Sequence, residues 1–188
     1  MAAPQAPLPV KLVIAVLYSD ENRLAVARER LTQRFGPIDF ISAPFPFEVT
    51  DYYVPEMGSP IVRLFYAFEK LVSPGVLASI KLAANAIEDE LATSGKRQVN
   101  LDPGYIDPDK FVLASAKYNG QKVYLSDGIW ADLTLHYEKG HFSAYPWSFP
   151  DFRSGDYEKA FLRMREIYKG QLKRDENKAS ASLEYSGD

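Results

Sequence analysis

Cysteine is absent from the 188 residues, and histidine occurs only twice, as His136 and His141. The first absence excludes disulfides, thiolate metal sites, iron–sulfur clusters and a cysteine nucleophile together. The second leaves almost no material for a Ser-His-Asp triad or a multi-histidine metal centre. Long apolar runs are also missing: the stretch 12–17 falls far short of the roughly 20 residues a bilayer span requires. The small, Pro-rich residues 1–9 before it do not read as a targeting signal. A cytoplasmic location without a membrane partner is therefore the expectation. Basic charge is not in excess, since 22 Lys and Arg stand against 25 Asp and Glu, which argues against nucleic acid as a partner.

Several motifs are absent by inspection. The only Gly-Lys is Gly95-Lys96, but Glu90 stands where a P-loop needs its first glycine and Arg97 where it needs a hydroxyl. Neither Gly-x-Gly-x-x-Gly, Gly-x-Ser-x-Gly nor His-Glu-x-x-His occurs. No catalytic residue and no metal ligand set is assigned by the sequence.

What remains is 46% apolar residues, 25 aromatics (11 Phe, 12 Tyr, 2 Trp) and 13 prolines. These fit one ordinary domain with a real core, expected over 11–174 between a flexible N-terminus (1–10) and a disordered polar tail (175–188). Proline maps the blocks, because it loses a hydrogen bond inside a helix or central strand. None falls in 10–36, 75–102 or 109–145, whereas Pro37, Pro44, Pro46, Pro55 and Pro60 crowd the segment between the first two blocks. That segment also carries Phe40, Phe45, Phe47, Tyr52 and Tyr53, so an ordered, irregular excursion is expected.

Within the blocks, residues 12–18 read as a central strand covered on both faces. Ser19 or Asp20 then caps a helix with the stripe Leu24, Ala27, Leu31 and Phe35, stopped by Gly36-Pro37. Strands follow at 38–43 and 61–69. Ser73-Pro74 opens a second helix with the stripe Leu77, Ile80, Ala84, Ile87 and Leu91, and residues 98–102 form a fourth strand. The order β-α-β-β-α-β is that of an α+β, ferredoxin-like core. Strand-like runs at 111–116, 122–125 and 129–137, joined by Asn119-Gly120 and Asp127-Gly128, extend the sheet by a C-terminal β-meander. A final helix carries Tyr157, Phe161, Met164 and Tyr168. In the last strand, Trp130, Asp132, Thr134 and His136 are expected on one half-solvated face.

The sharpest polar string is Asn100-Leu101-Asp102-Pro103-Gly104-Tyr105. Its Asp, Pro and Gly suit a type II turn, and Asn100 and Asp102 at a strand end suit a ligand or a cation such as Mg²⁺. Lys81, Asn85 and Glu88 share one face of the second helix, as a salt-bridged flank or as the border of a cleft. Arg63 and Glu69 share a strand face with Phe65 and Ala67, where a charge must be paired. Ser115 and Lys117 share another.

The strings Glu56-Met57-Gly58, Arg63-x-Phe65, Ile80-Lys81, Asn100 to Tyr105, Val112 to Ser115 with Lys117, and Pro146-Trp147-x-x-Pro150-Asp151 together resemble a bacterial family. It is catalogued as domain of unknown function 4416, whose members are often labelled GTP-binding proteins by automatic transfer. The resemblance implies a small cytosolic protein and carries no reaction. The missing P-loop and base-reading motifs give the GTP label no support.

Three functions follow as expectations. The first is a binding domain for a small anionic, nucleotide-like molecule, lined by Glu56, Arg63, Lys81, Asn85, Asn100, Asp102, Ser115 and Lys117, with Tyr52 or Tyr53 as a stacking surface. The second is a carboxylate- or Mg²⁺-assisted enzyme on a phosphorylated substrate, using Glu56, Asp102 and Asp132. The third is an interaction module whose aromatic string (Phe142, Tyr145, Trp147, Phe149, Phe152) docks a partner or a second copy of the chain as a homo-oligomer.

Overall fold

A strand without a polar face has to be covered twice, and β1 (Val10–Tyr18) is buried at every position. The computed structural model, which describes residues 2–184, places β1 between β4 and β5 inside an antiparallel sheet in the order β2-β4-β1-β5-β6-β8-β7. The further strands are β2 (Ile38–Ile41), β3 (Phe45–Pro46), β4 (Val62–Val72), β5 (Val99–Ile106), β6 (Lys110–Ser115), β7 (Val123–Ser126), β8 (Ile129–Glu138) and β9 (His141–Ala144). Two short strands lie off the main path, β3 on β4 and β9 on β8. The α+β class is as expected from the sequence.

Side chains alternate across a strand, so β1 feeds two cores. Leu12, Ile14, Val16 and Tyr18 meet α1 (Glu21–Phe35) and α3 (Leu77–Leu91) through Leu24, Ala27, Leu31, Ile80, Ala84 and Ile87. Val13 and Ala15 face the other way, toward Phe161, Met164 and Tyr168 of α5 (Glu158–Glu184). The sheet is thus sandwiched between layers of helix. Asp20 caps α1 by accepting from the Arg23 N–H, and Ser73 caps the 3₁₀ turn that leads into α3.

The proline-rich excursion is ordered: its α2 (Val54–Met57) and Phe47 and Ile61 close over Leu17. Tyr168 donates to the Pro9 carbonyl just ahead of β1. Helix α5 continues past Asp175, where the sequence reading places a tail; residues 185–188 of that tail lie outside the described residues.

Two expectations are corrected. Asp102-Pro103-Gly104 is not a turn: β5 runs straight through it, with Pro103 opposite Ile14 and Gly104 opposite Val13. Pairing with β6 starts only at Gly104, so Pro103 sits where one edge of β5 is still unpaired and its missing N–H forfeits no ladder bond. Gly104 is required by proximity, since a Cβ there would lie 2.5 Å from the Val112 carbonyl oxygen.

The face assignment in β8 also breaks. The β6–β8 register shifts between Phe111 and Val112, which pair with Leu135 and Leu133 respectively. The unpaired Thr134 makes a bulge that re-aims the residues after it. Leu135 therefore joins the α5-side core, while Ile129 and Ala131 pack toward α3.

Candidate functional site

Because β5 and β6 pair only at one end, the sheet splits beside residues 99–103, and α3 fills the split. Lys81 Nζ donates to the Leu101 carbonyl at 2.8 Å, and the Glu88 carboxylate accepts from the Leu101 N–H. Two helix side chains thus make the hydrogen bonds that a neighbouring strand would make. Both are buried, unlike the solvated flank that their helical spacing allows. Burial pushes the Glu88 carboxyl up to about 7, with Lys81 and the Leu101 N–H acting against it. Lys81 also donates to Asp102 Oδ1 at 3.2 Å, and Asn100 donates to Asp102 Oδ2 at 2.6 Å. Burial alone would raise the Asp102 carboxyl, but Lys81 and Arg63 outweigh it and hold it below its ordinary value.

On the α5 side of β4, Arg63 occupies a buried aromatic slot. Its guanidinium carbon lies 5.0 Å from the Phe47 ring centroid and 5.9 Å from that of Phe152. Nη2 lies 3.2 Å from Asp151 Oδ2, which also accepts from the Tyr157 hydroxyl. Asp151 is supplied by α4 (Pro150–Arg153). The nearest other carboxylate, Asp102, stands 3.9 Å from Nη1, beyond hydrogen-bond range. Nε and Nη1 are buried without a hydrogen-bond partner among the described residues. The charge is paired, as expected from the sequence, but with Asp151 and more distantly Asp102 rather than with Glu69.

Across the split, β6 and β8 bring up a third set. Lys122 Nζ lies 3.3 Å from Asp132 Oδ2 and donates to Ser115 Oγ at 2.8 Å. Burial raises the Asp132 carboxyl, with Lys122 opposing, and Asp132 Oδ1 has no partner. The exposed Lys117 has its ammonium 4.8 Å from the Tyr52 ring centroid. The wall that carries the tyrosines is tied down by Arg97, which binds Glu56 at 2.6 and 3.2 Å and lies 5.5 Å from the Tyr53 centroid. That contact holds the Glu56 carboxyl below its ordinary value.

These groups surround one cavity of about 680 Å³, within the usual size of small-molecule sites. Arg63, Lys81, Asn85, Asn100, Asp102, Ser115 and Lys117 all line it, as do Tyr52 and Tyr53. Glu56 does not; it acts on the wall through Arg97. Sequence reasoning missed Arg97, Lys122 and Asp151 as parts of the same surface. Asp151 stood in a recognisable string, but nothing local to it reports a partner 88 residues away.

The carboxylates of the enzyme expectation do not meet. Glu56 is bound to Arg97, Asp102 to Lys81 and Asn100, and Asp132 to Lys122. Among the described residues no three His, Asp or Glu side chains form a group that could hold a metal ion. The aromatic string also divides. Phe142 and Phe152 are core residues, Tyr145 stacks on Trp147 at 4.9 Å, and only Trp147 and Phe149 are largely exposed. No described helix is long and apolar enough to cross a membrane.

Fold and site define an α+β domain with a polar, aromatic-walled cavity at a split in its sheet. A family described as domain of unknown function DUF4416 matches residues 8–168, and the chain belongs to that family. No curated protein and no solved structure matches it.

Proposed function

We propose that this is a binding domain for a small anionic molecule carrying a flat ring. The observation that carries the reading is the open edge of Arg63. A buried guanidinium with Nε and Nη1 unpartnered at a cavity wall is poorly satisfied until an acceptor arrives, and these N–H groups, on opposite sides of the Nη2 that Asp151 holds, suit the oxygens of a carboxylate or phosphate. Lys117 adds a second, exposed cation at the rim. Tyr52, Tyr53 and Phe149 supply apolar surface of the kind a ring covers. A nucleotide-like ligand fits this chemistry, whereas a specific GTP site does not follow from it. The same reading takes the β1–α1–β2–β4–α3–β5 half as a ferredoxin-like core and residues 110–144 as a meander that carries the far wall.

A second reading, an enzyme, is favoured by one observation: Asp132 is a buried carboxylate whose free oxygen and raised pKa suit general acid–base work.

Both are tested by a thermal-shift panel of nucleoside phosphates, sugar phosphates and aromatic carboxylates, with and without Mg²⁺. A ligand at about 100 times its Kd stabilises by roughly 2.7 kcal/mol, on the order of 5–10 °C for a domain of this size. At least one anion is expected to produce such a shift. If no anion moves the transition at millimolar concentration, the binding reading is overturned. Turnover of the shifting ligand, lost in Asp132→Asn, would establish the enzyme instead.

A further inference from the structure

The cavity has a second unsatisfied pole, and its polarity is opposite to that of Arg63. Asp132 is 4% exposed, held on β8 opposite Leu113, and its two oxygens are treated differently. Oδ2 faces Lys122 at 3.3 Å, while Oδ1 is buried without a donor. Lys122 does not serve it; its ammonium donates to Ser115 Oγ and lies 5.9 Å from the Phe149 ring centroid. Buried acceptors in native proteins are nearly always satisfied, and Asp132 lines the ligand-sized cavity, so a ligand seated against it can bring the donor that Oδ1 lacks once the surface over that oxygen gives way. Arg63 offers donors and no acceptor, and the Asp132 carboxylate, ionised beside Lys122, offers acceptors and no donor.

Resting on the reading of this cavity as an anion site, we propose that Asp132 is its specificity-determining residue. The ligand carries an N–H or O–H donor for Asp132 Oδ1 as well as an anionic group for Arg63. The ligand class is therefore an amphoteric ring compound, such as an amino-substituted aromatic or heterocyclic acid or its nucleotide equivalent. A plain dicarboxylate, which has no donor when ionised, satisfies only one pole. A site with a buried group awaiting a donor rejects an analogue that lacks it, because the group is then left unpaired.

The test uses the full chain and matched probes that differ in one donor. Titration calorimetry near pH 7.5 compares 4-aminobenzoate with 4-methylbenzoate, and adenosine 5′-monophosphate with purine riboside 5′-monophosphate. In at least one pair the donor-bearing member is expected to bind about tenfold or more tightly, as for a hydrogen bond to a charged group. In Asp132→Asn the preference disappears, because the amide oxygen takes the Lys122 contact and turns an NH₂ toward the ligand. Equal binding of both members by the unmodified protein overturns this proposal and leaves the anion site standing, and it needs no variant that has to fold. A preference that survives in Asp132→Asn also overturns it. If no anion of any class binds, both readings fall.

Discussion

Arg63 Nη2 and Asp151 Oδ2 lie 3.2 Å apart, joining β4 to α4 across 88 residues of sequence, and both side chains are buried. The pair holds Nη2 and leaves Nε and Nη1 without a hydrogen-bond partner in a residue that lines the cavity. An ion pair of this kind is weak evidence for net stability, but breaking it from one side is costly because the partner's charge stays buried. Arg63→Met is expected to destabilise the fold by about 3–5 kcal/mol in urea denaturation. Adding Asp151→Asn to that variant should recover part of the loss. Strictly additive losses would mean that the two side chains are not coupled.

Glu88 makes stability pH-dependent. Its folded value of about 7 lies above the ordinary 4.5, so between those limits the native state binds more protons than the unfolded chain. Stability therefore falls as pH rises through that window, by at most about 3 kcal/mol, and is lowest above it. Glu88→Gln keeps an oxygen for the Leu101 N–H and removes the titration. Its denaturation midpoint, measured from pH 4.5 to 7.5, should lose the fall that the unmodified protein shows.

Gly104 tests the strand against the turn. As a turn glycine it would need positive φ, and its replacement would strain only the local backbone. As a strand residue packed under β6, Gly104→Ala drives a methyl against the Val112 carbonyl and the Phe111 ring. Overpacking of that kind is expected to lower stability by about 1–3 kcal/mol. An alanine variant with unchanged denaturation would contradict the close approach.

Glu56 separates binding from folding. Its contact with Arg97 is partly exposed, so Glu56→Gln should change stability by less than about 1 kcal/mol. The Tyr53 wall loses its anchor, however, and the thermal shift given by a bound anion should shrink. An unchanged shift would show that the wall does not depend on this pair.

Much of this was legible locally. The unbroken apolar run of β1, the stripes of α1 and α3 and the Ser73-Pro74 start each follow from period and cap chemistry within a few residues. Seven of the eight residues expected at a site line one cavity. The rest depended on registers that no local pattern encodes. Pro103 and Gly104 read as a turn because their composition is that of a turn, and only the late start of β6 pairing makes them a strand. The bulge at Thr134 inverts the faces of β8 after the point where alternation would carry them through. Lys81 and Glu88 look like a solvated flank until the split in the sheet gives them Leu101 to satisfy.

The central claim, that the open edge of Arg63 receives an anion, is tested most directly by a crystal structure of the full chain with the anion that gives the largest thermal shift. An anionic ligand's carboxylate or phosphate oxygen is predicted within hydrogen-bond distance of Arg63 Nη1 or Nε, with the Asp151 contact intact. Density for the anion elsewhere, with a protein group occupying both nitrogens, would contradict it.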